Sequence, residues 1–157
     1  MVGVFVEAQT SIELPFDTAV QALCDAMADG GLVAESRRAA ADGLVFVMPV
    51  GPRGSQIPAN EVMVQLLSGS YRDQTFVVPL RWEATGHSGR LFPALDASIE
   101  LTGGDQPQTS RLSIIGRYEP PLSKLGEALD RAVMSRVASA TINALVRETA
   151  NRLERMT

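Results

Sequence analysis

Apolar and polar positions alternate with a period of two through much of the first 118 residues and switch to a helical period after them. Val4, Phe5 and Val6, extended by Ser11, Ile12 and Glu13, predict a first strand over residues 2–13. Leu14-Pro15-Phe16-Asp17 breaks that pattern. Proline fits the first turn of a helix because its missing N–H has no intrahelical partner there, and Asp17 suits the positive helix end. Val20, Leu23, Cys24 and Met27 then share one helical face, and Gly30-Gly31 ends a short helix. Strands are predicted next over 32–40, 43–50, 60–68, 75–84, 95–102 and 110–118, with 51–59 as a loop. Asp42-Gly43 reads as a hairpin turn between two of them. Phe76, Val78, Leu80 and Trp82 alternate with Val77, Pro79, Arg81 and Glu83, which fits an antiparallel strand with one packed face; Pro79 asks for an edge or a bulge.

After Pro120-Pro121 no further proline occurs. Leu125, Leu129, Val133, Val137, Thr141, Leu145 and Leu153, flanked by Ile142 and Val146, form a long stripe at helical spacing. Glu127 with Arg131 and Glu148 with Arg152 are favourable i,i+4 pairs. A helix over 123–155 would be about 50 Å long, whereas a compact domain of this size has a radius of gyration of only about 15 Å. The helix therefore crosses the domain, and only a sheet is large enough to cover its stripe. The expected fold is α+β: a single domain over 1–157 in which a curved antiparallel sheet of about seven strands wraps a long C-terminal helix, with a short helix after the first strand.

Composition narrows the function classes. Hydrophobic residues make up 45% and charged residues 20% of 157 residues, so the chain is built for a core rather than for disorder. Cys24 is the only cysteine, which suits a reduced, cytoplasmic setting and reads as a small buried hydrophobe. His87 is the only histidine and lies in a Gly/Ser-rich turn; with one His and one Cys far apart, no zinc site and no cofactor is expected. Gly51-Pro52-Arg53-Gly54 lacks the ending of a phosphate-binding loop. The first residues show neither a basic stretch nor a cleavage site, and the longest apolar run, Leu44–Val50, is too short for a membrane span. The net charge is −4, and the C-terminal arginines alternate with Glu127, Asp130, Glu148 and Glu154, the pattern of a solvated helix face rather than of a nucleic-acid surface.

The order strand, helix, about six strands, long helix resembles the helix-grip fold of the START-like, or SRPBCC, superfamily. Val78-Pro79-Leu80-Arg81-Trp82-Glu83, Leu91-Phe92-Pro93 and the run Leu112–Leu122 into Leu125-Gly126 and Leu129-Asp130-Arg131 look like segments of small bacterial members of it. The resemblance implies a cavity between sheet and long helix, and a small hydrophobic or amphipathic ligand; it brings no catalytic motif.

On that basis the candidate ligand-binding residues are Trp82, Tyr118, Leu129, Val133, Val137 and Met63, with no catalytic and no metal residue. Trp82 offers a rigid apolar platform with one N–H donor, Tyr118 a hydroxyl near the mouth of the long helix, and Met63 an adaptable wall. Gly116 and Gly126 are expected to let sheet and helix approach closely. Two other readings stay open. A polyketide cyclase or hydratase-like enzyme would need ionisable groups such as Arg81, Glu83, Glu100 and Arg117 to point inward. A protein-interaction module would have a filled core. Non-catalytic binding is the reading these residues favour. The sequence carries no signal of oligomeric state.

Overall fold

The computed structural model describes residues 4–47, 62–84, 94–119 and 131–157. The elements are β1 (Val4–Ile12), α1 (Phe16–Ala28), α2 (Gly31–Val47), β2 (Val62–Leu66), β3 (Ser70–Arg72), β4 (Thr75–Ala84), β5 (Ala94–Gly103), β6 (Ser110–Glu119) and α3 (Arg131–Arg155). The strands form one antiparallel sheet in the order β1-β6-β5-β4-β2, with β3 also paired to β4. That is six strands among the described residues, against about seven expected. The remainder of the long helix expected from residue 123 lies outside the described residues.

The largest departure from expectation is α2. Residues 32–40 and 43–47 are helical, not two strands, and Asp42-Gly43 lies inside the helix rather than in a hairpin. Leu32, Glu35, Ser36 and Ala39 are buried at helical spacing, and alanines are strong helix formers. Gly30 separates α1 from α2: it has φ +79, a conformation glycine adopts without strain, and Asp29 Oδ1 accepts from the Gly31 N–H at 2.7 Å to start the next helix.

Pro79 is in an inner strand, yet its missing N–H does no harm. On its side of β4 the pairing is interrupted between Leu66↔Leu80 and Ser70↔Val77, and at that gap the Pro79 carbonyl accepts from Leu67 at 3.1 Å. The proline thus sits at a local edge. In the same gap Gly69 carries no Cβ, so the Phe76 ring packs against its backbone. The rings of Phe76 and the exposed Tyr71 meet at a tilt of 58° with centroids 5.1 Å apart, and Phe16 of α1 meets Tyr71 edge-on at 6.4 Å, tying the short strand to the first helix.

One sheet face is apolar and holds the core. Its cross-strand rows run Val64–Trp82–Leu95–Tyr118–Val4, then Leu66–Leu80–Ala97–Gly116–Val6, then Val78–Ile99–Ile114–Ala8. α3 packs on β1 and β6 and along α2, and α2 reaches back to β2, so sheet and helices close a ring around these rows. Val137, Thr141, Ile142, Leu145, Val146 and Leu153 are buried on α3, as the periodicity predicts, and Ala138 is buried beside them. Ser110 closes one end: its buried hydroxyl donates to the Leu14 carbonyl at 2.6 Å. Cys24, expected inside, is exposed on α1, because the buried face is set by Ala19, Val20, Ala22, Leu23 and Ala26.

Candidate functional site

Trp82 and Tyr118 come from strands separated by β5, yet both pair with Leu95, so they flank it on the apolar face. Directly opposed residues share a face in an antiparallel sheet, and two strand spacings put these backbones about 10 Å apart. Both side chains are buried, at 1% and 0% exposure. The indole Nε1 of Trp82 and the hydroxyl of Tyr118 have no hydrogen-bond partner among the described residues. Leaving such groups unpaired costs about 1–3 kcal/mol each, so two of them on one row is the most unusual local feature of this face. The Thr149 hydroxyl is also buried without a partner, but it lies about 12 Å along the helix axis from Thr141 and outside this row.

The phenol of Tyr118 is pushed up to about 12, by burial first, with the neighbouring Thr141 hydroxyl partly offsetting it. Thr141 itself donates to the Val137 carbonyl at 2.8 Å, and its geometry toward Tyr118 is not that of a formed hydrogen bond. The folded state therefore favours the neutral phenol. Its stabilising contribution is complete below pH 10, the ordinary value, and is lost as pH rises from there through 12. At pH 11 the loss should be on the order of 1 kcal/mol. Urea unfolding at pH 8 and pH 11 measures it: wild type should lose that much more stability between the two than Tyr118→Phe, and parallel losses would refute the assignment.

The other expected site residues divide. Val137 is buried on the α3 stripe, which lies over the apolar face. Val133 belongs to α3, and Leu129 and His87 lie outside the described residues. Met63 is not brought to the site. It pairs with Glu83 on the opposite face and is 39% exposed; the inward position is Val64, one residue out of phase. The close approach that Gly116 allows is within the sheet. A Cβ there would strike the Asp96 carbonyl and Ala97 of the neighbouring strand.

Arg81, Glu83, Glu100 and Arg117, the groups an enzyme would need inside, alternate with the buried rows and lie on the outer face. Arg81 and Glu83 pair at 3.4 Å with about half of each side chain exposed, a surface ion pair. The groove of about 250 Å³ beside them is lined also by Asp96, Arg117 and Glu119, charges of both signs open to solvent. No cluster of three metal-ligating side chains occurs among the described residues, and no described helix is long and apolar enough to cross a membrane.

The described elements form an antiparallel sheet with β1 and β6 adjacent, closed by a long C-terminal helix, the arrangement of a helix-grip fold. No family model and no curated protein matches the chain. Among solved structures it is similar to TTHA0849 from Thermus thermophilus, at 11% identity and TM-score 0.46 over 98% of this chain and 99% of that one. It is similar also to the human StarD13 (DLC2) lipid transfer and protein localization domain, at 13% identity and TM-score 0.42 over 94% of this chain and 75% of that one. The Zhui aromatase/cyclase from Streptomyces sp. R1128 aligns at 14% identity and TM-score 0.35 over 96% of each chain.

Proposed function

We propose that this protein binds a small, mainly apolar molecule between the sheet and α3, without chemistry of its own. The observation that carries this reading is the pair of buried, unpartnered polar atoms, Trp82 Nε1 and the Tyr118 hydroxyl, on an otherwise apolar row. Binding sites for small molecules have this makeup: apolar walls and a few placed polar groups that fix orientation. A bound molecule supplying an acceptor atom removes the penalty of the orphaned donors. Val137, buried on the α3 stripe, contributes the helical wall, and Val133 and Leu129 are assigned to the ligand from the sequence stripe alone. The enzyme reading loses its acid–base candidates to the outer face.

Native mass spectrometry of freshly purified protein, followed by denaturing extraction, is the test. The expected result is a discrete extra mass that leaves on denaturation. Trp82, the only tryptophan, makes its fluorescence a clean second readout; it should change saturably as a neutral apolar ligand is titrated. The bare chain mass together with a flat response across lipids and aromatics would reject binding and leave the filled-core interaction module.

A further inference from the structure

Resting on the binding reading above, we infer that the molecule held between Trp82 and Tyr118 is uncharged and presents a hydrogen-bond acceptor, as a ketone, ester or ether oxygen does, so that free carboxylates and ammonium groups are rejected. The inner rows around the pair are Val64, Leu95, Val4, Leu66, Leu80, Ala97 and Val6, and the facing α3 stripe is Val137, Ala138, Thr141, Ile142 and Leu145; none carries a charge. The described strand charges, Glu7, Arg81, Glu83, Asp96, Glu100 and Arg117 among them, alternate with these rows and point the other way. Glu35 is the one buried carboxylate among the described residues, and it is already matched by Arg38 and Arg152. An ionised ligand would therefore sit in an apolar interior without a described counter-charge, which is far more unfavourable than a neutral hydrogen bond is favourable.

The polar atoms specify the rest. An indole N–H only donates, and a tyrosine hydroxyl donates or accepts. Thr141 spends its proton on the Val137 carbonyl and has only lone pairs left to offer. The indole N–H is the one group that can only donate, so it asks for an acceptor, and the Tyr118 hydroxyl can donate to the same group. Tyr118 stays a neutral phenol across the physiological range, since burial pushes it up to about 12, and neither gains nor lends charge.

The test uses three probes of similar length, 2-undecanone, decanoate and decylammonium, titrated at pH 8 into the full chain with Trp82 fluorescence as readout and native mass spectrometry for stoichiometry. The ketone should bind at least about tenfold more tightly than either ion. Tyr118→Phe, which keeps the ring and the fold, should weaken the ketone about fivefold, the worth of one neutral hydrogen bond. Decanoate or decylammonium binding as tightly as the ketone overturns the inference and leaves the binding reading standing. A saturable response to none of the three overturns both.

Discussion

Gly116→Ala should destabilise the domain by about 3 kcal/mol, although it adds a single methyl group. In most strand positions that methyl would stand off the sheet. At Gly116 an ideal Cβ instead points into β5, onto the Asp96 carbonyl oxygen and the Ala97 Cα and Cβ. Backbone held in register on both sides cannot give way as a flexible side chain can: Gly116 pairs with Val6 on one side and Ala97 on the other. A glycine inside a strand commonly marks such a close approach of a neighbouring backbone. In a domain of this size the loss corresponds to roughly 6–12 °C in Tm. Gly103→Ala is the matched control, because its Cβ would meet nothing within 4 Å; it should stay within about 0.5 kcal/mol of wild type. Thermal and urea unfolding of both variants decide the matter. Equal behaviour of the two would mean that the close approach relaxes freely and that glycine is not required there.

How much of this is legible in the sequence follows from the range of the interactions involved. β4, β5 and β6 are readable to within a residue or two because strict alternation is a local signal, and it also sorts Trp82, Leu80 and Val78 from Arg81 and Glu83 correctly. The α3 stripe is readable for the same reason. α2 reads wrongly as strands because its buried positions, Leu32, Glu35, Ser36 and Ala39, are small or polar apart from the leucine. Helical periodicity in hydrophobicity is therefore faint, and Asp42-Gly43 dominates as a turn signal. Met63 is misplaced because Val62-Met63-Val64 is apolar at three successive positions, which leaves the phase of a short strand undefined. The candidate site is half visible. Trp82 and Tyr118 each stand out alone, but their common row exists only because Leu95 pairs with both of them. That register depends on the connections between strands, and no local pattern in β4 or β6 encodes it.

The contact least visible from sequence is the one for which a second large effect is expected. Glu35 and Arg152 are far apart in the chain, yet the Glu35 carboxylate, 1% exposed, lies 3.4 Å from the Arg152 Nε and 3.0 Å from an Arg38 guanidinium nitrogen. Gly31 makes this possible: any Cβ there would occupy the place of the Arg152 guanidinium. The clip joins α2 to α3, the two helices that pack along each other beside the apolar rows. A surface pair would contribute at most about 1 kcal/mol. Burial of the carboxylate changes the sign of the argument, because removing its partner strands a charge that water cannot reach. Complete loss of a buried partner costs about 3–5 kcal/mol, and Arg38, which remains beside Glu35 but is largely exposed, moderates that to about 2–3 kcal/mol for Arg152→Ala. Glu35→Leu should be milder than Arg152→Ala, since it removes the buried charge itself and leaves behind an arginine that solvent already touches. The double variant should then be more stable than the sum of the two single losses, by at least about 1 kcal/mol, when the four proteins are compared by urea unfolding. Strict additivity would show that the two side chains do not sense each other and that α2 is held in place by its apolar and backbone packing alone.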